Sequence, residues 1–72
     1  MVDPIENGKR IHELRKQKGV TIEQAAIDNQ TSYTAMQSYE SGDRTPRDEV
    51  KERVADYYNV SVGYLFFGEQ CH

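Results

Sequence analysis

The 72-residue sequence predicts a compact all-α domain of five short helices. Apolar residues recur at three- and four-residue spacings, as in Ile11/Leu14 and Val50/Val54, which is the period of a half-buried helix. No stretch alternates apolar and polar residues for long enough to suggest a strand. Capping residues, glycines and prolines punctuate the chain at short intervals. A chain this small holds one domain and buries only about 60% of its unfolded surface.

The spacing predicts helix 1 from about Gly8 to Lys18, stopped by Gly19. Thr21-Ile22-Glu23-Gln24 has the form of a capping box, in which the threonine hydroxyl takes an early amide and the glutamine reaches back. It opens helix 2, through about Asn29, with Ala25 and Ala26 as small packing residues. Thr31 or Ser32 caps helix 3; Met36 and Tyr39 point inward and Gly42 supplies the left-handed stop. Thr45-Pro46-Arg47-Asp48-Glu49 starts helix 4, with Pro46 at the first helical position and the acids on the positive end of the dipole. Ser61 caps helix 5, where Val62, Leu65 and Phe66 pack inward and Val60 and Leu65 form a hydrophobic staple. Residues 1–6 are expected to form a loose arm, 7–68 the folded domain and 69–72 a loose end.

Composition narrows function. Nine basic and twelve acidic residues give a net charge of −3, which argues mildly against strong independent nucleic-acid binding. The one cysteine, Cys71, cannot form a disulfide within the chain, which suits a reducing cytoplasm. No run of about 18 apolar residues is present to span a membrane, and "MVDPIENGKR" lacks the layout of a signal peptide. Cys71 and His72 fall short of the four ligands of a structural zinc site. No phosphate loop, nucleophile elbow or paired-carboxylate site appears, and His12, among charges, reads as a solvated surface residue. An enzyme, a metal, a cofactor and a small-molecule substrate are therefore not expected.

"GKRIHELRKQKG", Ala26, "MQSYESG", Pro46 and "YYNVSVGYLF" follow one another at a recognisable spacing. Together, from about Asn7 to Gly68, they resemble the helix-turn-helix domain of the Cro and CI repressor family, also called the XRE family. The resemblance implies a lambda-repressor-like fold with helix 3 in the DNA major groove. Carried over by position, it makes Ser32, Tyr33, Thr34, Gln37 and Ser38 the readers of DNA or of a partner, and Arg44 and Arg47 the phosphate contacts. It also implies a structural ion pair between Arg15 and Glu40, a task for which arginine's planar fork is well matched. The family's C-terminal end suggests Tyr64 and Phe67 as candidates for a homodimer contact.

The chain departs from the family where DNA contact is made. Ile22 replaces a usual glutamine, Tyr33 and Ser38 stand where arginine or lysine is frequent, and Asn29 and Gln30 replace an apolar residue and a glycine. From Gly19 to Asp43 there is no lysine or arginine, but there are Glu23, Asp28, Glu40 and Asp43. Each lost phosphate contact removes roughly 0.9 from the salt slope of binding. Exposed apolar side chains, with Ile22, Tyr33 and part of Met36 as candidates, suit a protein partner at least as well as DNA.

Two readings of function follow. In the first, this is a small transcription regulator of a phage-type genetic switch that acts with or against a partner repressor by protein contact, as a modulator or antirepressor. In the alternative, it is a stand-alone Cro-like repressor of operator DNA. Operator DNA (bound weakly by the protein alone), the repressor of the same switch and a second copy of the chain are the expected partners. Its place is the cytoplasm, that of the bacterial host if a phage encodes it.

Overall fold

The computed structural model describes residues 3–68, which form five helices: α1 (Pro4–Lys18), α2 (Ile22–Asp28), α3 (Tyr33–Ser41), α4 (Asp48–Tyr57) and α5 (Val62–Phe67). Four of them start on a side-chain cap, at Asp3, Thr21, Ser32 and Ser61. Each cap oxygen accepts an early backbone N–H that has no partner within the helix. Gly19, Gly42 and Gly68 end α1, α3 and α5 in the left-handed conformation. Among the described residues no helix is long and apolar enough to cross a membrane.

α1 packs on α3 and α5, α2 on α3, and α4 on α5. Ile11, Met36, Val54, Leu65 and Phe66 fill the centre, and Ala25, Ala26, Ala35 and Ala55 let the helices approach around them. Leu14, Val20, Val50, Val60 and Val62 complete the core from its edge. Nearest of all is the approach of α1 to the end of α3. A Cβ on Gly8 would collide with the backbone carbonyls of Tyr39 and Glu40, so no other residue fits there without moving backbone. Gly42, at φ +88°, sits against Ile5 of α1's first turn.

Several boundaries differ from the sequence reading. α1 begins at Pro4, not Gly8, because Asp3 Oδ1 accepts the Ile5 N–H at 3.0 Å and Pro4 holds the first helical position. Residues 4–6 are therefore helical, not part of a loose arm; residues 1–2 and 69–72, including Cys71 and His72, lie outside the described residues. Pro46 does not open α4. Arg47 is still extended (φ −67°, ψ 162°), so the helix starts at Asp48 and Pro46 is buried before it. In the capping box only half forms: Thr21 Oγ1 accepts Gln24 N–H at 3.1 Å, but the Gln24 amide turns forward to Asp28 at 2.8 Å. An i,i+4 amide–carboxylate bond has displaced the backward one.

Asp28 also ties α2 to α4. It accepts the Tyr57 hydroxyl at 2.7 Å, and the Lys18 ammonium lies 4.7 Å from the centre of the Tyr57 ring. Partial burial, then the Asp28 carboxylate, push the Tyr57 phenol up to about 12.

Two outcomes follow from these contacts. Gly8→Ala lowers stability by about 2 kcal/mol or more, although alanine is the better helix former. Gly19→Ala, whose Cβ meets open space, loses only about 1 kcal/mol for its left-handed φ. Thermal unfolding followed by circular dichroism ranks the pair, and equal losses would remove the close α1–α3 approach as a constraint. The second outcome concerns pH. The unfolded phenol ionises near 10 and the folded one near 12, so this contribution is complete below pH 10 and is lost as pH rises toward 12. Denaturant midpoints across that interval fall less in Tyr57→Phe than in the parent; parallel curves would deny the Tyr57–Asp28 bond that role.

Candidate nucleic-acid interface

The buried side of α3 carries Ala35, Met36 and Tyr39. Its outer side presents Tyr33, Thr34 and Gln37, all exposed, with Ser38 half-buried beside them. The split follows from helical period: residues 35, 36 and 39 share one stripe, while 33, 34 and 37 share the opposite one. Ser32 Oγ accepts the Ala35 N–H at 3.1 Å, which leaves its hydroxyl proton free to donate outward. The structure therefore brings Ser32, Tyr33, Thr34 and Gln37 onto one solvent-facing surface at the N-terminal half of α3.

Other site expectations change. Met36 has no exposed surface, so it belongs to the core and not to an interface. Ile22 is partly buried and packs against the core, which explains why an apolar side chain stands there. Ile27, which the sequence reading passed over, is the exposed apolar residue of α2 at 64%. Tyr64 is half-buried in a groove with Arg10, Leu14, Tyr58 and Val60. Phe67 is 43% exposed, and the Lys51 ammonium lies 5.0 Å from the centre of its ring.

Two arginines, Arg10 and Arg53, are bound into the fold and withdrawn from any positive rim. Arg10 Nε donates to the Leu65 carbonyl at 3.1 Å and its Nη2 donates to Asn7 Oδ1 at 2.8 Å. Arg53 Nη1 donates to the Asn29 carbonyl at 2.9 Å. Both serve carbonyls at helix C-termini, where cations are favoured. The exposed arginines near α3 are Arg44, whose guanidinium lies 6.0 Å from the Tyr39 ring centre, and Arg47.

Arg15 and Glu40 meet at 2.7 Å between Nε and Oε2, with both side chains largely buried. Arg15 also donates from Nη1 to the Val20 carbonyl at 2.9 Å, so one guanidinium joins α1, the α1–α2 turn and α3. His12 completes the cluster: its Nδ1 lies 3.0 Å from Glu40 Oε1 and 3.3 Å from Arg15 Nη2. The shorter contact assigns the ring proton to Nδ1, donating to the carboxylate. His12 is exposed, as the sequence suggests, and is also a member of the clamp; it lies one turn before Arg15, a spacing that puts both on one face.

The turn between α2 and α3 is built from the residues that depart from the resembled pattern. Asn29 is fully buried and its Nδ2 donates to the Ala25 carbonyl at 2.8 Å. Gln30 takes φ +58°, the left-handed conformation that a glycine adopts freely. The turn keeps its shape at a steric cost of about 1 kcal/mol. Among the described residues no group of three or more His, Cys, Asp or Glu is placed to hold a metal ion.

A helix-turn-helix domain profile matches residues 6–63. No curated protein gives a significant match. Among solved structures, the chain is similar to the restriction-modification controller protein C.AhdI from Aeromonas hydrophila, at 25% identity and a TM-score of 0.81, over 89% of this chain and 97% of that one. It is similar to the DNA-binding domain of S. venezulae BldD at 26% identity and a TM-score of 0.75, over 89% and 96% of the two chains. The clp gene regulator ClgR from Corynebacterium glutamicum, at 22% identity, shares the fold with a TM-score of 0.81 over 90% of this chain and 69% of that one.

Arg15→Met leaves the buried Glu40 carboxylate with His12 and leaves the Val20 carbonyl without its side-chain donor. Stability falls by about 3 kcal/mol or more. Glu40→Met alone behaves similarly, and the double variant loses clearly less than the sum. Urea unfolding of the four proteins measures the coupling; additive losses would show that the two residues do not act as a pair.

Proposed function

This chain belongs to the helix-turn-helix domain family, and on that premise we propose that it is a transcription regulator that lays α3 in the major groove of operator DNA. The observation that carries this is the outer face of α3, where Tyr33, Thr34 and Gln37 are exposed on a helix whose other side is locked into the core. Ser32 and Ser38 flank them, and Arg44 and Arg47 follow as phosphate contacts. One such domain reads a half-site, so a homodimer reads the full operator. Exposed Phe67 and its neighbour Tyr64 are our candidates for the contact between copies. Such a regulator works in the cytoplasm, without cofactor, metal or catalytic step. The likeness to a restriction-modification controller and to the BldD DNA-binding domain supports this reading.

A second reading rests on a separate observation. The segment from Gly19 to Asp43 has no lysine or arginine, while Ile27 and Tyr33 are exposed within it. In this reading the protein acts with or against the repressor of a phage-type genetic switch, meeting the basic face of that protein through an acidic and apolar surface.

Fluorescence anisotropy on labelled DNA from upstream of the protein's own gene separates the two. We expect the protein alone to bind with micromolar or tighter affinity that falls with salt. Arg44→Ala should weaken binding to all sequences alike and lower the salt slope by about one per subunit. No binding alone, with release of a pre-bound neighbouring repressor, would replace the first reading by the second.

A further inference from the structure

Resting on the reading that α3 enters the major groove, we propose that the base pairs under its N-terminal half are A·T, recognised through Gln37 and through the thymine methyl groups. Guanine presents two acceptors in the major groove, N7 and O6, and is read by the paired donors of arginine or by lysine. α3 has neither residue, and none occurs from Gly19 to Asp43. The cations that border this segment are engaged or placed elsewhere. Lys18 lies over the Tyr57 ring, Arg15 holds Glu40 and Arg53 holds the Asn29 carbonyl. Arg44 and Arg47 follow the opposite, C-terminal end of α3.

What the outer face does offer matches A·T. Adenine presents one acceptor and one donor, N7 and the N6 amino group, which a carboxamide meets with its own donor and acceptor. The Gln37 amide makes no hydrogen bond to another described residue, whereas the Gln24 amide is held by Asp28. Four and three residues before Gln37, on the same side, Tyr33 and Thr34 supply a half-exposed ring and a methyl group to the thymine methyl. The hydroxyls of Ser32 and Ser38 accept or donate and so discriminate little. α3 offers no cation to insert into a narrow minor groove, the shape readout that would otherwise select A·T, so the preference is read by its neutral side chains in the major groove.

Selection of duplexes by the full chain from a random DNA library, at about 50 mM salt, tests the inference. The enriched half-sites should share adenine and thymine at the positions covered by α3. Replacing those thymines by deoxyuracil removes only the major-groove methyl groups and should weaken binding several-fold. Gln37→Arg, at an exposed position that leaves the circular dichroism spectrum unchanged, should move the preference at one position from adenine to guanine by about tenfold. Conserved G·C pairs under α3, or a uracil substitution without effect, would overturn the base assignment while leaving DNA binding intact. An unenriched library would instead remove the DNA-reading function itself, and the base assignment with it.

Discussion

The close contact between α1 and the end of α3 governs the rest of this structure. It is made by an absence and a charge. Gly8 has no side chain, so the α3 backbone at Tyr39 and Glu40 comes against α1. Two turns further along α1, Arg15 joins Glu40 and the Val20 carbonyl, with His12 on the second carboxylate oxygen. A buried carboxylate is tolerated only where its lone pairs are satisfied, and here two cationic or donor side chains satisfy them. Because Val20 lies in the turn leading to α2, the same guanidinium also sets the entry to the helix-turn-helix unit. The orientation of α3, and hence of Tyr33, Thr34 and Gln37, depends on this clamp.

The arginines explain the charge distribution. Arg10 and Arg53 hold carbonyls at the ends of α5 and α2, and Arg15 holds α3. Arg10 and Arg15 each use two donors of one fork at fixed distance, which lysine does not supply. With them removed from the surface inventory, the acidic residues of α2 stand with few cations close by. Asp28 is partly offset by bonds from Gln24 and Tyr57, but those donors are neutral and leave its charge in place. The outer surface of α3 is therefore neutral at its centre and acidic at its flank.

The fold was legible where a rule had one physical meaning. The caps at Thr21, Ser32 and Ser61, the glycine stops and the inward stripe of Ile11, Val54, Leu65 and Phe66 all follow from helical period and orphan amides. Proline misled by position: Pro4 fills the first turn of α1, unmarked in the sequence reading, while Pro46 sits outside α4. Both prolines are compatible with either place, and what decides is whether a neighbour caps the helix, as Asp3 does and Arg47 does not. Met36 is expected both to point inward by helical period and to show in part at the surface; with Ala35 and Tyr39 beside it, the first alone holds. The roles of Arg10, Arg53 and Asn29 were not legible, since they join residues far apart in sequence and no local pattern announces them.

A neutral reading helix changes what recognition can depend on. If α3 reads DNA as proposed, its few cations make the sequence-independent part of affinity small. Contacts to base edges and the presence of a second subunit must then carry a larger share. Each subunit added to a fixed half-site spacing supplies its contacts at high effective concentration. On the function proposed here, the weak electrostatics of one domain and the call for a second subunit are one property. Both trace to arginines that face inward, Arg15 holding α3 and Arg10 and Arg53 the ends of α5 and α2.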